Sequence, residues 1–163
     1  MTATYDAIAT TSVTGTPSTI DFTSISGSFT DLVVVLTAKT SAGTETLLRF
    51  NSDTGNNYST TILYGTGTTA GSYRDSNQSR ILTAFYGNPT TDNSHVSITH
   101  IQNYSNTNTN KTILCRSNRA AGGVDAIVGL WRNTAAITSV TILTNGGTFT
   151  SGTVATLYGI KAE

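Results

Sequence analysis

Two stretches decide the fold class: Leu32-Val33-Val34-Val35-Leu36, apolar at every position, and Val96-Ser97-Ile98-Thr99-His100, apolar at every second one. Consecutive side chains of a strand point to opposite faces, so strict alternation describes a half-buried strand. The uninterrupted run suits a central strand covered on both sides, by an opposing sheet and by a loop or a neighbouring subunit. Outward from these two, Ser18-Thr19-Ile20-Asp21-Phe22 and Val140-Thr141-Ile142 repeat the alternation, with Ile20 and Phe22 on one face. The same kind of pattern predicts strands near 4–11, 18–25, 31–39, 45–51, 58–64, 79–86, 94–103, 111–118, 124–132, 136–144 and 153–161. Gly, Asn, Asp, Pro and Ser clusters separate them. Asn145-Gly146 between two strong strands is the best hairpin signal, because that pair accepts the positive φ of a tight turn. The longest stretch without a predicted strand, Gly65 to Asn77, is expected to be a surface loop of the kind that makes binding contacts. Ala120-Ala121-Gly122-Gly123 is too small and flexible for a helix, and no segment carries a capped helical period. The expectation is an all-β fold: one antiparallel β-sandwich over residues 1–163, a jelly roll of about ten short strands.

Composition narrows the function. The 163 residues carry 9 Lys+Arg and 9 Asp+Glu, a net charge of zero, and only 11% are charged. Thr supplies roughly a fifth of the chain, far above average usage. A balanced charge gives no basic footprint for nucleic acid. Cys115 stands alone, which excludes a disulfide scaffold and fits a reducing cytoplasm or an assembly without disulfides. The N-terminal stretch Met1 to Asp6 lacks the basic and apolar regions of a signal peptide, and Leu32–Leu36 falls far short of the ~18 apolar residues of a membrane span. A polar but uncharged surface desolvates cheaply and suits packing against other subunits, which would also cover exposed strand edges.

No residue pattern specifies catalysis. His95 and His100 lie five apart in one strand and point to opposite faces, so they cannot share a metal there. No G-x-S-x-G elbow accompanies them. Cys115 is expected on the face of Ile113 as a buried small hydrophobe. The carboxylates mostly sit at strand ends or in turns, where they bond local backbone, and no facing pair of the kind glycoside hydrolysis needs is visible. Asn51-Ser52-Asp53-Thr54-Gly55-Asn56-Asn57 is similar to a calcium loop, but its Gly comes one place early and position twelve is Ile62. A tight polar hairpin is the better reading. Tyr58, Tyr64, Tyr73, Tyr86 and Tyr104 fall at strand ends or in loops, where a ring can stack on a sugar or a partner. Trp131 reads as core or subunit interface.

Four segments carry a resemblance: Tyr5-Asp6-Ala7-Ile8-Ala9-Thr10-Thr11, Arg49 to Ser59, Gly129 to Ser139, and the ending Ser151-Gly152-Thr153-Val154-Ala155-Thr156-Leu157-Tyr158-Gly159-Ile160-Lys161-Ala162. They resemble runs in bacteriophage virion structural proteins, the β-sandwich modules of capsid decoration and tail-fibre-like proteins. The resemblance implies a place on the virion, assembled in the host cytoplasm, and brings no catalytic motif and no cofactor. With no shaft or coiled-coil run, attachment is expected through the sandwich itself. That favours a non-enzymatic decoration (cement) protein, a homotrimer bridging subunits of the major capsid protein. No nucleic acid or membrane is expected as partner. The alternative is the receptor-binding head of a short tail fibre, with Tyr64, Tyr73 and Tyr104 facing host glycan.

Overall fold

A computed structural model describes residues 4–92 and 95–161. Met1–Ala3, the first residue of the predicted 94–103 strand, and Ala162 and Glu163 lie outside that range. Among the described residues there is no helix, and twelve strands form. They are β1 (Tyr5–Ser12), β2 (Thr19–Phe22), β3 (Asp31–Ala38), β4 (Thr46–Phe50), β5 (Tyr58–Gly65), β6 (Ala70–Gln78), β7 (Ile81–Leu82), β8 (His95–Ile101), β9 (Lys111–Arg119), β10 (Gly123–Trp131), β11 (Val140–Thr144) and β12 (Val154–Ile160). Pairing is antiparallel throughout, in an eight-stranded sheet β1-β12-β3-β8-β9-β10-β5-β6 and a four-stranded sheet β2-β11-β4-β7.

This order contains a jelly roll. Half of the large sheet, β1-β12-β3-β8, combines with the small one, and successive strands of this set switch sheets except from β4 to β7, as two interleaved Greek keys require. Two further pairs, β5–β6 and β9–β10, are inserted between jelly-roll strands, and both extend the large sheet beyond β8. Apolar side chains from the facing sheets fill the space between, among them Phe22, Leu36, Phe50, Tyr58, Trp131 and Phe149. Burying each such side chain stabilises the fold by about 1.5–3 kcal/mol. At the small sheet's edge, β7 and the segment after it cover the inner face of the extension, with Ile81 and Leu82 buried.

Five expectations need correction. The stretch 65–77 is mostly strand: β6 pairs with β5 from Gly65↔Ala70 to Tyr58↔Gln78. Only its tip, with Thr66 N donating to Thr69 O, is a turn. Asn145-Gly146 does turn, with Gly146 at φ 98° and Gly147 at 73°, but it makes no hairpin, because β11 and β12 belong to different sheets. The polar turn after Phe50 likewise carries the chain from β4 in one sheet to β5 in the other. The predicted strands 79–86 and 136–144 shorten to β7 and β11. Finally, no loop or subunit is needed to cover Val33. Its outer-face cross-strand neighbours Tyr158 and His100 stand on either side, and Val33 is buried within the monomer.

Three of the four segments quoted for the resemblance have clear structural work. Asp53 at the β4–β5 turn accepts the Trp131 indole N–H at 2.7 Å, the Asn57 amide at 2.9 Å and the Gly55 backbone N–H at 2.8 Å. Asn51, at φ 50°, accepts from Thr138 N and Ser139 N and donates to the Ala136 carbonyl. Arg132 reaches Ser59 Oγ and the Asn56 carbonyl. The 49–59 and 129–139 segments thus lock onto one another around stacked Tyr58 and Trp131, whose ring centroids are 6.2 Å apart. The 151–162 segment contains β12, which lies between β1 and β3.

Candidate functional site

The buried polar groups come first, because they are where catalysis would sit. Asp125 on β10 is buried and accepts four hydrogen bonds: Phe85 N at 2.9 Å, Tyr86 N at 3.1 Å, Gly87 N at 2.9 Å and Ser117 Oγ at 2.8 Å. It pins the segment after β7 against the sheet. His95 is fully buried, its Nδ1 bonded to the Gly87 carbonyl, and its Nε2 has no partner among the described residues. Burial pushes its pKa down to about 4, against the Gly87 bond and the Asp125 charge that favour protonation. Ser117, Asp125 and His95 therefore do not form a relay, because the serine donates to the carboxylate and the imidazole bonds backbone. The Cys115 thiol donates to the Thr83 carbonyl, and burial pushes its pKa up to about 12, so it is no nucleophile at neutral pH. Buried Lys111 donates from Nζ to the Thr109 and Thr134 carbonyls, tying two connections together. Among the described residues no group of three or more His, Cys, Asp or Glu is placed to hold a metal ion. Asp125 and Lys111 thus fasten connecting segments to the sheets.

The tyrosines separate. Tyr104 does not face solvent: it is fully buried, its hydroxyl accepting from Phe29 N and donating to the Ser26 carbonyl. It offers no ring to a ligand. Tyr64 and Tyr73 do come together, with Phe85 and Tyr86, at the open side of the sandwich beyond β7. Tyr64 lies 4.4 Å from Tyr86 and 5.7 Å from Phe85, centroid to centroid, while Tyr73 stacks on Phe85 at 5.1 Å and 12°. Tyr73 and Tyr86 are 38% and 40% exposed. Phe85 is the member that sequence reasoning missed, because nothing local distinguishes it from a core residue of the predicted 79–86 strand.

The other exposed feature is the outer face of the large sheet's extension. Register aligns two rows of side chains across it. Leu63, Ala126, Arg116, Ile98 and Val35 form one, and Thr61, Val128, Leu114, His100 and Val33 the next. Leu63, Leu114, Val124 and Val128 are between 50% and 63% exposed. Small Ala126 floors a shallow depression of about 570 Å³ between these larger neighbours. The outward positions of β8, β9, β10 and β5 include Arg116 and His100 but no carboxylate. Soluble monomers seldom leave a contiguous apolar patch of this kind uncovered.

Comparison with known proteins adds no neighbour. No protein-family model, curated protein or solved structure matches the chain. The reading of its function rests on these two surfaces and on the sequence.

Proposed function

We propose that the chain is a structural module of a bacteriophage virion, a capsid decoration protein that docks through the outer face of its large sheet onto subunits of the major capsid protein. The observation that carries this reading is the exposed apolar face around Ala126. Strands about 4.8 Å apart and residues about 3.3 Å apart give the outer faces of β8, β9, β10 and β5 an area on the order of 500 Å². That is more than half of the ~800 Å² each partner contributes to a stable interface, and the outer faces of the neighbouring strands continue the surface. Charge favours a different protein over a second copy. A face-to-face pair of copies would bring cationic Arg116 near its own counterpart, with no carboxylate at the outward positions of β5, β8, β9 and β10 to compensate. The partner surface is therefore apolar with a carboxylate opposite Arg116. The homotrimer implied by the resemblance would form through other surfaces, such as the exposed edge of β1.

The test is copy number per purified virion, by quantitative mass spectrometry against the major capsid protein. Hundreds of copies in simple ratio to that protein are expected. A few dozen or fewer would overturn the capsid placement and point to the tail. The docking face is tested by Leu114→Asp and Val128→Asp, which place a charge on the apolar rows without touching the core. Either is expected to weaken co-sedimentation with capsid shells at least tenfold, since burying an unpaired carboxylate costs more than 1.4 kcal/mol. Wild-type binding by both variants would reject this face as the interface.

A further inference from the structure

The outer face of the large sheet's extension is not flat. Its hollow of about 570 Å³ crosses the strands from β5 to β8, between the row Leu63-Ala126-Arg116-Ile98 and the row Thr61-Val128-Leu114-His100. Ala126 is the low point, and exposed Leu63, Leu114 and Val128 stand above it. Register carries both rows one strand further, with Ser72 continuing the first and Arg74 the second. A smaller hollow of about 130 Å³ joins Arg74 to the same floor, because Thr61 and Val128 line both. On the other side Arg116 stands directly across from Ala126. Two exposed guanidiniums therefore flank one apolar hollow, three strand spacings and one row apart, roughly 16 Å along the sheet. Neither is hydrogen-bonded or ion-paired among the described residues. The acidic residues of β5, β6, β8, β9 and β10 are Asp75 and Asp125, and both belong to the opposite face: Asp125 is buried, and Asp75 pairs with buried Thr60.

We propose that this hollow receives one aromatic side chain from a segment of the capsid partner that carries a carboxylate on each side of it, one meeting Arg116 and the other Arg74. The inference rests on the docking reading and names the chemistry of the contact within it. Size selects the aromatic ring, since a smaller side chain would leave the walls without contacts, and a ring of this class buries about 150–250 Å². Large side chains seated in a central, water-free pocket carry most of the energy of an interface. Charge selects the flanks. A guanidinium with all its donors free takes a carboxylate through two parallel bonds, and two such groups at a fixed spacing set where the segment lies. A second copy does not fit, because its own face offers two arginines and no carboxylate. Ala126 is then the residue that sets specificity: any larger side chain there closes the hollow.

The test is binding of purified variants to capsid shells. Ala126→Leu raises the floor to the level of Leu63 and Leu114 and adds apolar area, so a flat apolar contact would keep or gain affinity. With a ring seated in the hollow it is expected to weaken co-sedimentation at least tenfold, and Ala126→Val by about threefold. Arg74→Glu and Arg116→Glu should each slow association about fivefold, and added salt should slow wild type more than either variant. Ala126, Arg74 and Arg116 are exposed, so urea midpoints at the wild-type value are expected and exclude misfolding as the cause. Ala126→Leu binding as tightly as wild type while Leu114→Asp does not bind would overturn the hollow and leave the docking face standing. Association of both arginine variants at the wild-type rate and with its salt dependence would overturn the paired carboxylates. Wild-type binding by Leu114→Asp, or no binding by wild type, would overturn the docking reading and this inference with it.

Discussion

At the scale of single residues, the chain uses its few charged groups as internal fasteners. Asp125 is the clearest case. Its oxygens accept from three consecutive backbone N–H groups, Phe85, Tyr86 and Gly87, which have no strand partner of their own. In Asp125→Ala those donors and the Ser117 hydroxyl are left unsatisfied in a buried site, at about 1–3 kcal/mol each before relaxation. We expect a net loss of at least about 3 kcal/mol, read as a lower urea midpoint with an unchanged slope. Hydrogen exchange should accelerate first at residues 85–87. A loss under ~1 kcal/mol would mean that water replaces the carboxylate and that the clamp is dispensable. Nothing in the sequence marks Asp125 for this role, because the backbone groups it holds lie 38 to 40 residues away.

At the scale of elements, the strands were legible where they alternate and hidden where they do not. β6 reads Ala-Gly-Ser-Tyr-Arg-Asp-Ser-Asn-Gln, with no β-branched residue, because an edge strand half out in solvent has no apolar face to encode. Its polar composition looks like a loop and protects the edge from pairing with other chains. The docking face was hidden for the opposite reason. Leu63, Leu114 and Val128 alternate with buried Ile62, Ile113 and Ile127, so their strands read as apolar on both sides and no local signal tells the solvent face from the core. Of the aromatic cluster, Tyr64 and Tyr73 were visible as tyrosines outside the core pattern. Phe85 was not, since only the bonds from its segment to Asp125 bring it beside them. The sheet-to-sheet turn at 51–57 was seen as polar and tight, but its purpose depends on Trp131, 78 residues distant. Trp131→Phe keeps the ring in the core and deletes the N–H that Asp53 Oδ2 accepts. The expected cost is about 1–2 kcal/mol by denaturant titration. Asp53→Asn in that background should cost less than in wild type, since the two partners share one interaction. Additive losses would show that the bond contributes nothing.

At the scale of the whole molecule, stability should fall in acid, and the sign follows from burial. His95 takes up a proton near pH 4 in the folded protein, against about 6.5 when exposed in the unfolded chain. Above 6.5 neither state holds the proton and the histidine is neutral in its effect. Between 6.5 and 4 the unfolded chain binds it and the folded protein does not, so stability drops as pH falls, by on the order of 3 kcal/mol across the window. Asp53 adds a second loss at lower pH. Burial raises its pKa, but the bonds from Trp131, Asn57 and Gly55 outweigh this and hold it below the ordinary 3.8, so its contribution disappears as pH falls through that lowered value. Urea midpoints from pH 7 to pH 4.5 should decline, and His95→Gln should flatten the decline even if it lowers every midpoint. A profile as steep in His95→Gln as in wild type would move the cause elsewhere.

The position of β12 has a consequence for how the chain reaches this structure. It is last of the twelve in sequence yet pairs with β1 on one side and β3 on the other. Tyr5 meets Ile160 and Ser12 meets Val154, so closing the sheet joins residues nearly a whole chain length apart. Such long-range closure sacrifices chain entropy before any contact compensates for it, which makes folding slow, on the millisecond-to-second scale or longer. During synthesis β1 and β3 must wait, each with an unpaired edge, until the final strand emerges. A chaperone that shields those edges, or rapid capture of the finished module by its assembly, would therefore raise yield more than any added stability.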